Sequence, residues 1–436
     1  MIRPGIFTAL TALVLGGCSP THPSVVLISV DTLRADHLGA YGYGPPTSPR
    51  FDALAREGVL FETAVAAAPS TLPSHASIFT SLSPHRHGAS FAARRPLADS
   101  VLTLAEVLKA SGYRTGAFHD GGQIVPELGL GQGFEVYRTI GQDRLSPVAA
   151  AGLAWLDGLQ RQEPFFLFLH TYETHLPYTP AAADLRVFQP DGYTGFLGTG
   201  VGHKEMRTVN NQGISLSPAD QRHVVASYDA EIRAMDRALG ELLDALRARG
   251  RLANTLVVVT SDHGEELGEH GSWAWHSHTL YEELLRVPLV VRLPAGTAER
   301  AEGVRLSELA RGIDLAPTVL DVVGVPIPSS FEGRSLLPVI RREPSAAPFA
   351  LSLLDGGDPE QDFAVRRERW KLYGERLFDL EDDRGETVDR SAEHAEITEV
   401  LRRYWTRERA RGATATGSAI EIEGELRRRL EALGYL

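Results

Sequence analysis

The chain has 436 residues, 43% of them hydrophobic and 23% charged, which is ample for one large α/β domain with something smaller attached. A net charge of −12 argues against a nucleic-acid partner, which calls for a basic surface. No internal apolar run is long enough to span a bilayer, and Cys18 is the one cysteine, which leaves no disulfide framework and no thiolate metal site.

The chain opens with Met1-Ile2-Arg3, continues in an apolar run from Ile6 to Leu15, and ends that run on Leu15-Gly16-Gly17-Cys18. A basic start, a short apolar core and small residues describe a secretory signal over residues 1–17. The small residues ending on cysteine resemble a bacterial lipobox, which implies lipid on Cys18, a linker over 18–23 and a membrane anchor. Ser19 points that anchor to the outer membrane of a bacterial envelope.

Ser24 to Val30 is a near-continuous apolar run and predicts a buried parallel strand, with Asp31 at its C-terminal end, where ligand sites of open α/β sheets gather. A helix is expected over 48–57, a short strand over 59–61, and a helix opening in Pro69-Ser70-Thr71-Leu72-Pro73-Ser74-His75. A hydroxyl at a helix start suits chemistry on an anion, because free N–H groups and the helix dipole favour negative charge there. Helices over 101–110 and 147–159 alternate with strands over 115–118 and 165–169, and His170 ends the second. That alternation predicts a mostly parallel sheet sandwiched by helices. Residues 181–216 read as a weakly patterned surface excursion near the site. A long amphipathic helix over 218–249, or a pair of them, carries Asp229, Glu231 and Asp236 on what reads as a solvated face. Strands over 256–260 and 287–293 and a helix over 314–323 follow. After about residue 343, short strands over 363–365, 370–373 and 377–380 predict a small antiparallel sheet, and 418–433 an amphipathic helix. The division is thus a main domain over 24–342 and a C-terminal α+β subdomain with its helix over 343–436.

Asp31, Asp262 and His263 all fall at the ends of predicted buried strands, which converge on one sheet edge. Carboxylates and an imidazole suit a divalent cation such as Ca²⁺, Mn²⁺, Mg²⁺ or Zn²⁺, and the Thr71 hydroxyl completes the set. His170, His270, His276 and His278 are each open to a metal, acid–base or surface role.

Ser29-Val30-Asp31-Thr32-Leu33-Arg34, Pro73-Ser74, Ser81-Leu82-Ser83-Pro84, His175-Leu176-Pro177-Tyr178, Ser261-Asp262-His263-Gly264-Glu265 and Trp370-Lys371 occur in the order that the sulfatase family of the alkaline phosphatase superfamily carries them. The chain resembles that family over roughly residues 24–390. The resemblance implies an alkaline phosphatase-like fold, a metal held by Asp31, Thr71, Asp262 and His263, a nucleophile at Thr71, and a substrate contact from His175; by their place near the same predicted edge, His276 or His278 is expected to contact substrate or metal and both are carried as catalytic candidates. His75 and Ser277 stand where the family carries an arginine and a lysine, and are carried as substrate-binding positions. The family's nucleophile is a formylglycine made from cysteine or serine; threonine cannot give an aldehyde, so no formylglycine is expected here. Ser70 is the competing hydroxyl. Threonine nucleophiles elsewhere in the superfamily act on phosphorus, so the reading is an ester hydrolase of sulfate or phosphate esters that favours phosphate, acting on a small-molecule or envelope-polymer ester. The alternatives are a phosphotransferase with an envelope acceptor, a conventional sulfatase, and a catalytically silent binding protein.

Overall fold

The computed structural model describes residues 22–297 and 302–436, so Cys18 and the leader before it lie outside the described residues. Nine strands form the central sheet. They are β1 (Ser24–Val30), β2 (Val59–Val65), β3 (Arg114–His119), β4 (Val136–Thr139), β5 (Phe165–Thr171), β6 (Thr255–Thr260), β9 (Arg286–Arg292), β10 (Val304–Leu306) and β11 (Ala310–Arg311). The small hairpin of β7 (Glu266–Leu267) and β8 (Trp273–Trp275) stands apart from it. The order across the sheet is β10-β2-β9-β6-β1-β5-β3-β4, with β11 beside β2. Every pairing is parallel except those of β9 with β6 and with β2. Between β6 and β9 the chain makes only the hairpin and the short helix Glu282–Leu285, with no crossover helix to carry it back to the starting edge, so it returns antiparallel.

β1 explains the layering. Val25 and Leu27 enter one apolar core while Val26, Ile28 and Val30 enter the other, because successive strand residues face opposite sides. Both faces are covered, which is why the strand reads as an unbroken apolar run. The long helix Pro218–Ala248 packs on one face. The helices Thr71–Thr80, Leu104–Ala110 and Leu315–Val322 pack on the other.

The expected solvated face of the long helix is corrected. Asp229, Glu231 and Asp236 are all buried. Asp229 takes His37 Nδ1 and the Tyr43 hydroxyl, each at 2.7 Å. Glu231 accepts from the Thr179 amide and pairs with Arg144. Asp236 accepts from the amides of Arg50 and Phe51, satisfying the free N–H groups at the start of the helix Pro49–Glu57. The carboxylates are tolerated inside because each has polar partners that the sequence places far away in the chain.

Residues 181–216 form two helices, Ala182–Phe188 and His203–Gln212, rather than a patternless excursion. The expected antiparallel sheet is present as β12 (Ala350–Leu353), β13 (Phe363–Arg367), β14 (Trp370–Tyr373) and β15 (Arg376–Asp379). A helix not foreseen, Ala395–Arg409, closes its core through Leu401 and Trp405. Beyond it the chain leaves the subdomain and runs back along the main domain, with the Thr414 amide on Arg86 O and the Ile420 amide on Arg94 O. The last helix starts at Gly424, not at 418, since the stretch before it lies extended on that surface.

Candidate active site

Asp31 follows β1, Asp262 and His263 follow β6, and His170 lies in β5, paired in register with Ser29. These are adjacent strands, so their ends bring the four side chains to one edge. Thr71 is the first residue of its helix, entered from β2. All five are fully buried.

Thr71 Oγ1 donates to Asp31 Oδ2 at 3.2 Å and lies 3.4 Å from His263 Nε2. His263 Nε2 is 3.5 Å from Asp262 Oδ2 and 3.9 Å from Asp31 Oδ1. The His263 Nδ1–H is engaged by Gly264 O at 2.9 Å, which turns Nε2 toward the carboxylates; burial works against its charge, but Asp262 and Asp31 beside it raise its pKa on balance. Burial drives the Asp31 carboxyl up to about 7. Burial, with Asp31 beside it, raises Asp262 as well. Asp31 Oδ1 and Asp262 Oδ2 make no hydrogen bond. Two buried carboxylate oxygens without hydrogen bonds, the His263 Nε2 and the Thr71 hydroxyl fit a divalent cation.

His170 Nε2 stands 3.4 Å from Asp31 Oδ2, and neither of its ring nitrogens makes a hydrogen bond. His75 lies beneath Thr71, with Nδ1 on Thr71 O at 2.9 Å and Nε2 on Ser29 Oγ at 3.0 Å. Together with Asp262 these two histidines form a second group of metal-ligating type sharing one carboxylate with the first.

A cavity of ≈ 290 Å³ opens beside these groups, lined among others by Ser70, His175, His276, Ser277 and Tyr435. A larger hollow of ≈ 740 Å³ lies between Pro177–Gly202 and His223 and contains none of the buried ligating groups. His175 donates Nδ1–H to Leu176 O at 2.6 Å, and its Nε2 makes no hydrogen bond. Burial, followed by His276, holds its pKa well below the ordinary range, so the neutral ring presents a bare nitrogen. His276 Nδ1 is 2.9 Å from Glu265 Oε1. Burial pushes Glu265 up to about 8 and His276 well down, so the pair shares one proton. Ser277, at φ +63°, donates to Pro69 O at 3.0 Å and ties this loop to the one before Thr71. His278 stands away from the cavity, with Nε2 3.0 Å from Glu266 Oε2. His270 is stacked on Tyr281 and paired with Glu283.

The expected anion cradle at the helix start is largely consumed. The Leu72 amide is bonded to Gln123 Oε1 at 3.1 Å, Pro73 has no N–H, and the Ser74 amide is bonded to Ser70 O. Apart from the Thr71 amide, donors for an anion must come from side chains instead.

Sequence reasoning missed Gln123, His203 and above all Tyr435, whose hydroxyl is 3.2 Å from Thr71 Oγ1. Only a Gly-Tyr pair after a helix marks the last of these in the sequence, a turn signal and nothing more.

The sequence profile described as Sulfatase matches residues 23–325, and that of N-sulphoglucosamine sulphohydrolase, C-terminal, matches residues 268–410. An arylsulfatase of Clostridium perfringens is 26% identical over 88% of this chain and 94% of its own. A solved structure described as a complex with its substrate D-glucosamine-2-N,6-O-disulfate superposes with a TM-score of 0.73 at 20% identity, over 89% of this chain and 98% of the other. The phosphonate monoester hydrolase of Agrobacterium radiobacter superposes with a TM-score of 0.70 at 21% identity, over 89% and 96%. Profile, sheet order and the buried strand-end groups agree: the chain belongs to the sulfatase family and is an ester hydrolase of the alkaline phosphatase-like fold.

Proposed function

We propose that this enzyme is a metal-dependent hydrolase of phosphate or sulfate esters that attacks through an unmodified Thr71 and favours phosphate. The observation that carries the reading is the Thr71 hydroxyl, 3.2 Å from Asp31 and 3.4 Å from His263 at the start of its helix. Ser70 is the weaker candidate, because its buried hydroxyl makes no hydrogen bond to either carboxylate. The sole cysteine is at position 18, so no cysteine can supply an aldehyde here.

Asp31, Asp262 and His263 would hold the cation, which when bound eases ionisation of a hydroxyl and offsets charge on the transferred group. The Thr71 proton already points at Asp31 Oδ2. Attack by Thr71 Oγ1 forms a Thr71–O–P bond as the ester P–O bond breaks, and the departing oxygen takes the proton shared by His276 and Glu265. Water then attacks phosphorus as the Thr71 Oγ1–P bond breaks, its proton restores the His276–Glu265 pair, and the proton on Asp31 returns to Thr71. The test is a turnover panel of sulfate monoesters, phosphate monoesters, phosphate diesters and their sugar counterparts, with divalent metals added back. Sulfate monoesters turned over far better than phosphates would reject the preference. The sulfatase relatives favour sulfate turnover, and the threonine favours phosphate turnover.

The Leu15-to-Cys18 spacing supports a lipid-anchored enzyme of the bacterial envelope. Cys18→Ala should then move the protein to the soluble fraction, and a variant that stays with membranes would reject the anchor.

A further inference from the structure

We propose that Tyr435 is a substrate-contacting residue of this site, a phenol delivered from the far end of the chain to donate a hydrogen bond to the anionic group that Thr71 attacks. The proposal rests on the Thr71 reading for which atom the anion approaches, but not on covalent attack.

The hydroxyl of Tyr435 is 3.2 Å from Thr71 Oγ1. Thr71 directs its one proton to Asp31, so Tyr435 is the donor in that contact. Its ring is held on several sides, with centroids 5.4 Å from His175, 5.6 Å from Phe91 and 6.2 Å from His276. The tail that carries it is seated by specific contacts. Arg207 Nη2 donates to Gly434 O at 2.6 Å and to Leu436 O at 3.2 Å. Arg429 pairs with Asp143. Gly434 adopts φ +79°, and a Cβ there would meet His203 Nδ1 at 2.6 Å, so only glycine lets the chain turn into the site.

The site needs such a donor. The tetrahedral group has several oxygens to satisfy, while the Leu72 and Ser74 amides are taken and neutral His175 offers a lone pair rather than a proton. A phenol is uncharged at neutral pH and donates without adding charge beside the carboxylates. Once Thr71 Oγ1 bonds to the transferred group, the phenol proton finds an oxygen of that group next to the atom it held before. Hydrogen bonds aimed at such oxygens in a dry site are worth more than in water.

The test uses the full chain with saturating divalent metal and compares Tyr435→Phe, Tyr435→Ala and Arg207→Ala with the parent. Titration with inorganic phosphate and with sulfate reads anion binding directly, and aryl phosphate turnover reads the reaction. Tyr435→Phe should weaken anion binding and lower kcat/KM by about 10- to 100-fold, as for loss of one hydrogen bond to a charged group. Metal content and melting temperature should stay as in the parent. Arg207→Ala should reproduce part of that loss, and Arg207→Lys should restore some of it. Phosphate and sulfate affinities unchanged in Tyr435→Phe overturn the proposal, as does a parent that binds neither anion. Faster turnover in Tyr435→Ala overturns it too, since Tyr435 would then be a plug. A Thr71→Ala protein that stays active rejects the nucleophile alone, because the anion titration still judges Tyr435.

Discussion

Thr71 Oγ1 lies 3.2 Å from Asp31 Oδ2, a contact between the first turn of a helix and the end of a central strand. The hydroxyl is fixed there by a helix that cannot shift without breaking the core around Leu72 and Ala76. Thr71→Ala should lower turnover by on the order of 10³ or more, by analogy with other nucleophile deletions. The metal should stay bound. Peptide mass spectrometry should find threonine at 71 and unoxidised serine at 70. An aldehyde-sized mass loss at Ser70 would reassign the nucleophile.

Metal removal should destabilise the fold. Without a cation, Asp31 and Asp262 face each other with oxygens that make no hydrogen bond. A cation present at about 100 times its Kd contributes about 2.7 kcal/mol. Chelation should lower the melting temperature and re-addition should restore it, and Asp262→Ala should abolish that response. Elemental analysis of the two proteins gives the independent check; equal metal content would remove Asp262 from the site.

Lys371 joins the subdomain to the main domain. Its ammonium is buried 2.8 Å from Glu386 and 3.2 Å from Glu282. Lys371→Met leaves Glu386 buried without its cation, and the loss should be about 3–5 kcal/mol. Denaturant unfolding measures it. Well below the unfolding midpoint the variant should keep the parent's kcat, because none of these groups lines the cavity beside Thr71.

Acid should unfold the protein partly through His87. Its Nδ1 accepts from the Ala89 amide, and its Nε2 contacts Pro73 O and Ser77 Oγ, each at 3.1 Å. Protonating Nδ1 would break the first bond, and burial lowers the pKa from 6.5 to about 3. The folded chain refuses a proton that the unfolded chain accepts, so this stability is present above pH 6.5 and lost as pH falls toward about 3. His87→Gln should flatten the fall of unfolding free energy over that window. A slope identical to the parent's would show that other groups govern it.

The sequence alone determined the parts whose physics is local. An apolar run such as Ser24–Val30 can be buried on both faces only as a central strand, so β1, β5 and β6 and the groups at their ends were legible. The same logic brings Asp31, Asp262, His263 and Thr71 together from sequence alone, with the family motifs adding His175. Tertiary structure decided what depends on partners distant in the chain. Asp229, Glu231 and Asp236 carry a solvated signature by composition, and only their hydrogen bonds to Tyr43, Thr179 and Phe51 bring them inside. β9 runs antiparallel because of how the loop before it returns, which strand periodicity does not encode. The helix-start amides look free in the sequence, and it took Gln123, from another element, to occupy one. Tyr435 is the furthest case: Thr71 is 364 residues away, and nothing local in a Gly-Tyr pair says which cavity its ring will enter.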